Sequence, residues 1–100
     1  MMKKTLFALA AATLMPAFAQ AGPVEKACLR SDRGAGKSSL CACIQGAADA
    51  TLTGRDQRRA ANFFEDPDAA QQMRVSKGAS DSAFWRRYQA FGQTAEAYCG

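Results

Sequence analysis

DRGAGKSSLCAC, running from Asp32 to Cys43, is the stretch on which the fold class turns. Gly36-Lys37-Ser38 matches the end of a phosphate-binding loop, which would require a preceding strand and an α/β nucleotide domain. Cys41-Ala42-Cys43 suggests a redox pair or two soft-metal ligands. The first pattern fails on spacing: a Walker A loop is G-x-x-x-x-G-K-[ST], and five positions before Gly36 stands Ser31. The preceding segment, Val24 to Ser31, is built of helix formers and places Val24, Ala27 and Cys28 on one face. Asp32 to Lys37 is then a glycine hinge between two helices. Ser38 or Ser39 N-caps the second helix, and Lys37 is a solvated side chain.

From that hinge outward the chain keeps a helical period. Leu40 to Leu52 carries the stripe Leu40, Ile44, Ala47 and Thr51. Ala42, Gly46, Ala47, Ala48 and Ala50 are small enough for another helix to approach closely. Thr53-Gly54-Arg55-Asp56 matches the [ST]-x-x-[DE] capping pattern, with Asp56 itself as the alternative cap. A third helix, about Gln57 to Glu65, buries Ala60, Phe63 and Phe64. Asp66-Pro67 starts a fourth, with Asp at the cap and Pro at the first helical position. It runs to about Lys77, buries Ala70 and Met73, and ends at Gly78. Ser80 or Ser82 caps the last helix, which reaches almost to Cys99 on the stripe Phe84, Tyr88, Phe91, Ala95 and Tyr98. Gly92 inside that stripe marks a close contact. β-Alternation is nearly absent, so the expected fold is all-α, a small disulfide-stapled bundle of four to five helices.

The first residues, MMKKTLFALAAATLMPAFAQA, read as a secretory signal peptide. Lys3 and Lys4 form the positive head, Thr5 to Met15 is uncharged and apolar, and small residues stand at the spacing signal peptidase reads. Cleavage is placed after Ala21, with Ala19 second. The expected organisation is a leader, 1–21, and a single helical domain, 22–100. The apolar run falls short of the ~20 residues a membrane-spanning helix needs, and no later run could span a bilayer. The net charge of +4 includes both leader lysines and drops to +2 without them. That balance does not argue for nucleic acid or an anionic membrane surface. The expected location is the periplasm or the medium.

All four cysteines lie after the leader. An even count in a small exported domain implies disulfides. Cys41–Cys43 is the least favoured pairing, because helical residues two apart point to nearly opposite sides. Cys28–Cys41 with Cys43–Cys99 is preferred over the crossed alternative. An antiparallel last helix would bring Cys99 to the Cys41/Cys43 turn.

The chain contains no histidine, so no Ser-His-Asp or Cys-His arrangement can form. Paired carboxylates at Glu65, Asp66 and Asp68 sit at a helix junction, where capping accounts for them. No catalytic residue, metal site or cofactor is expected. Phe84-Trp85-Arg86-Arg87-Tyr88 mixes aromatic and basic residues of the kind found at interface hot spots. Trp85, Arg86 and Arg87 are therefore the candidate interaction surface, although one bulky core residue on a solvated face gives the same pattern.

The segments ACLRSDRG, LCACIQGAAD, DQRRAANFFEDPD and SDSAFWRRYQAFGQTAEAYC resemble a family of small exported alphaproteobacterial proteins. Its members are mostly uncharacterised and sometimes labelled arginine transporters. The resemblance covers nearly all of the chain after the leader and implies no site residues. A transporter needs spanning segments, which this chain lacks after the leader. The leading expectation is an exported helical interaction or structural module whose partner is a periplasmic protein or small molecule. The alternatives are a binder of a small ligand such as arginine, accessory to transport, and a redox or soft-metal protein using Cys41 and Cys43.

Overall fold

Five helices succeed one another in the computed structural model, which describes residues 21–100: α1 (Pro23–Arg30), α2 (Ser38–Thr51), α3 (Gly54–Glu65), α4 (Pro67–Val75) and α5 (Ala79–Cys99). No strand occurs among the described residues. The expected leader, apart from Ala21, lies outside them. The helices form a ring. α1 packs on α2 and α3, α2 packs on α5, α4 packs on α3 and α5, and α3 also touches α5 directly.

The caps explain most boundary differences from the sequence reading. Neither Ser38 nor Ser39 caps α2. Gly36 adopts a left-handed φ of 77°, and Lys37 N–H donates to the Gly34 carbonyl at 2.9 Å. This turn delivers Lys37 to the cap position, where its carbonyl accepts from Cys41 N–H. Thr53 does cap α3, its Oγ1 accepting from Asp56 N–H at 3.2 Å. α3 therefore begins at Gly54 rather than Gln57. Asp66 supplies no side-chain cap to α4; its backbone ends α3 and starts α4 together. α4 stops at Val75, because Gly78 is the cap of α5 rather than the terminator of α4. Ser80 and Ser82 do not cap α5. Ser76 Oγ instead donates to Asp81 in its first turn at 2.7 Å.

The buried stripe of α2 is rotated by one residue from the expected one. Cys41, Gln45, Ala48 and Leu52 are buried, with Ala47, while Leu40, Ile44 and Thr51 are half-buried. The Cys28–Cys41 bridge, with Cα atoms 5.6 Å apart, turns that face under α1. The Cys43–Cys99 bridge, at 5.8 Å, fastens the adjacent face to α5. The preferred pairing is the one present, and the two cysteines of Cys41-Ala42-Cys43 serve opposite neighbours.

Val24, Ala47, Ala48, Leu52, Ala60 and Phe91 form the core, extended by Ile44, Phe64, Tyr88 and Ala95. Gly34 is buried at the hinge. A Cβ there would lie 2.6 Å from Cys41 Sγ and collide with the Cys28 carbonyl, so glycine is what lets the hinge close over the first bridge. Gly92 and Gly46 mark no close helix contact, since a Cβ at either would meet nothing within 4 Å. Tyr98, expected in the core stripe, is 80% exposed. It lies about 100° around the helix from Cys99, whose bridge sets that side against α2 and leaves Tyr98 facing off the bundle. Ala70 and Met73 are half-buried and α4 buries no residue fully, because it packs on α3 and α5 from outside.

Candidate functional site

α5 distributes Trp85, Arg86 and Arg87 around its circumference, as about 100° per residue requires. Trp85 is half-buried, and its ring packs against Tyr88 with centroids 5.1 Å apart. Arg86 is exposed. Arg87 turns the other way and grips Asp56 of α3, its Nε 2.6 Å from Oδ2 and its Nη2 3.1 Å from Oδ1. The candidate strip is therefore three environments rather than one surface.

Trp85 and Tyr88 form one wall of a groove of about 800 Å³, in the ring between the α1–α2 hinge and α4. Phe63 and Phe64 come from the end of α3, and Pro67, Ala70 and Gln71 from α4. Arg30, Asp32 and Arg33 rim it from the hinge side. The aromatic wall is itself locked. The rings of Phe63 and Tyr88 meet edge to face with centroids 5.0 Å apart, and Phe84 stacks on Tyr88 from behind at 6.1 Å. Such pairs hold rings more firmly than apolar burial alone.

Charge is arranged unequally around the rim. Arg30 donates to Glu65 at 2.7 Å across the mouth, an exposed pair of small energetic weight. Arg33 makes no ion pair within 4 Å among the described residues. Burial raises the Tyr88 phenol above its ordinary pKa, and the Arg33 guanidinium opposes that shift. Arg33 and Tyr88 both line the groove.

Two further polar assemblies hold the frame. Arg59 lies over the Phe84 ring, 4.4 Å from its centroid, and donates to Asp81 at 3.1 Å. Hydrogen bonds from Ser76 and then Arg59 lower the Asp81 pKa. The second assembly is buried between α1, α2 and α3. Gln45 Oε1 accepts from Glu25 N–H at 2.8 Å, capping α1 from another helix. Gln45 Nε2 donates to Gln57 Oε1 at 2.7 Å and to Asp49 at 2.9 Å. Gln57 Nε2 closes the loop on Asp49 and the Leu52 carbonyl.

The sequence reading singled out Trp85 but missed Arg30, Arg33, Phe64 and Glu65 as its groove neighbours. Phe64 was expected in the core and is half-buried because it lines the groove. Its position one residue past the buried Phe63 was the available signal. All four cysteines are bridged, so Cys41 and Cys43 do not form a pair with each other. Among the described residues no cluster of three or more Cys, Asp or Glu is placed to hold a metal, and no helix is long and apolar enough to cross a membrane. No family model, curated protein or solved structure matches this chain.

Proposed function

We propose that the protein is an exported, non-catalytic interaction module that holds an apolar segment of a periplasmic partner in the aromatic groove. The observation that carries this reading is the convergence of Phe64, Trp85 and Tyr88 on one open groove inside a frame fixed by two disulfides. Binding grooves combine apolar walls with a few placed polar groups, and their aromatic anchors dominate the energetics. The disulfides suit an oxidising compartment, as does the leader-like N-terminus. The same reading groups the chain with the small exported four-cysteine proteins it resembles.

A photo-crosslinking phenylalanine analogue at Gln71, on the groove, and at Ala90, exposed on the far side of α5, tests this directly. Irradiation in periplasm should give discrete adducts from position 71 and none from position 90. Equal yields from both would overturn the groove as the binding surface.

A second reading, a small amino-acid binder such as one for arginine, is favoured by one feature: Asp32 and Arg33 put opposite charges side by side on the rim. Calorimetry of the oxidised protein with arginine and related amino acids tests it, and a flat titration removes it.

A further inference from the structure

Resting on the groove reading above, we infer that the groove captures the C-terminus of a polypeptide, seating an apolar last residue against Phe64 and Trp85 and its carboxylate between Arg33 and Tyr88. Two donor side chains, Arg33 and Tyr88, line this groove. Arg33 offers a guanidinium with no ion-pair partner among the described residues. Tyr88 is half-buried in the aromatic wall of the same groove. A guanidinium and a phenol presented together suit one planar anion, which accepts two strong charge-assisted bonds.

The acidic groups on the rim do not compete for that position. Glu65 is held by Arg30 at 2.7 Å. Asp32 is exposed on the hinge and forms no ion pair with its neighbour Arg33. The size of the groove separates a chain end from a free amino acid. About 800 Å³ falls in the range of clefts that enclose drug-sized ligands, roughly 300–1,000 Å³, which is space for several residues. Capture of a terminal carboxylate is a recurrent mode of peptide recognition. Here the apolar wall selects the last side chain and Arg33 selects the end of the chain.

Trp85 is the single tryptophan of the protein and lies in the groove, so its fluorescence reports occupancy without a label. The probes are synthetic tetrapeptides ending in leucine or phenylalanine, each as the free acid and as the C-terminal amide, titrated into the oxidised protein. Calorimetry runs in parallel. The free acid should bind about tenfold more tightly than the amide, the weight of a charged hydrogen bond, and should shift Trp85 emission. Arg33→Gln, an exposed hinge substitution, should bring the acid down to the affinity of the amide and leave the amide unchanged. Tyr88→Phe should give part of that loss.

Equal binding of acid and amide would overturn carboxylate capture and leave the groove reading standing. Acid binding that leaves Trp85 emission and the Arg33→Gln variant unaffected would overturn both, because the site would then lie elsewhere. Binding of N-acetyl-leucine as tightly as the tetrapeptide would replace the polypeptide end by a small carboxylate. Absence of binding by every probe would overturn the inference, with the crosslinking at position 71 deciding the groove reading separately.

Discussion

The Asp56 side chain is 6% exposed, whereas that of its partner Arg87 is 47% exposed. Removing either member breaks the same pair with different consequences. Arg87→Ala leaves a largely buried carboxylate, with Arg59 and Arg55 acting on it only from a distance, so it should be the more destabilising of the two changes. Asp56→Asn leaves a guanidinium that can turn into water, and the lost hydrogen bonds amount to about 1 kcal/mol. Urea unfolding of the two oxidised variants checks this order; an equal or larger loss in Asp56→Asn would refute it. The same pair sets the acid response. The Arg87 hydrogen bond, and after it the Arg87 charge, hold the Asp56 pKa below the ordinary 3.8 against the effect of burial. Asp81 is lowered as well, by Ser76 and Arg59. A depressed carboxylate stabilises the fold fully above its unfolded pKa, and that contribution is lost as pH falls through the folded value. Thermal melts at stepped pH should therefore show the midpoint falling below about pH 4, with a shallower fall in Asp56→Asn. Parallel curves for the two proteins would contradict the assignment.

At the scale of elements, α2 shows why the sequence disclosed the fold more readily than the site. Its i, i+4, i+7 period is legible and identifies a helix, but the expected stripe missed the buried one by a residue. A period gives spacing, while phase is decided by what packs outside the segment, here the bridge from Cys41 to α1. Gln45 falls on the true stripe and was invisible to a reading that counts apolar residues. Its partners Glu25 and Gln57 lie 20 and 12 positions away. The groove is hidden for the same reason: Arg33, Phe64 and Trp85 belong to three segments that meet only after folding. The Thr53 cap was readable because both of its groups lie within four residues. The serine caps were misread because the hinge and Gly78 turns supplied their own backbone bonds. Gln45 also gives the element-scale prediction. Gln45→Leu leaves the Gln57 amide oxygen and the Glu25 N–H without their donor and acceptor, a loss of about 2–3 kcal/mol. Gln45→Leu with Gln57→Leu removes both sides of the buried contact and should cost less than the sum of the single changes, by about 1 kcal/mol. A double-mutant cycle in denaturant measures the coupling, and strict additivity would mean that the network holds nothing together.

For the molecule as a whole, the two bridges differ in both what they restrain and how they can be reached. Cys28–Cys41 spans 13 residues at the hinge, and its cysteines are 1% and 0% exposed. Cys43–Cys99 spans 56 residues, closes the ring between α2 and the end of α5, and is only half-buried. In the chain-entropy description the short loop contributes about 3 kcal/mol and the long loop about 4 kcal/mol. A domain this small has a total stability near the lower end of 5–15 kcal/mol, so loss of the outer bridge alone brings it close to unfolding. Thiol attack needs access to a sulfur. The outer bridge offers that access in the native state, while the inner one becomes reachable only after the hinge opens. Reduction should therefore be ordered. Under mild dithiothreitol without denaturant, Cys43 and Cys99 should be alkylated first, giving a species that keeps Cys28–Cys41, and the second bridge should follow at the rate of opening. Quenching with iodoacetamide, intact mass and peptide mapping resolve the two steps. Simultaneous reduction, or alkylation of Cys28 and Cys41 first, would show that burial does not control the order. Paired Cys43→Ala and Cys99→Ala substitution should reproduce the first step at equilibrium, lowering stability by about 4 kcal/mol while Cys28–Cys41 still forms. Because Cys99 ends α5, the loss should be felt first in the α2–α5 contact, and the groove at Trp85 and Tyr88, on the other half of that helix, should hold its emission until the whole ring opens.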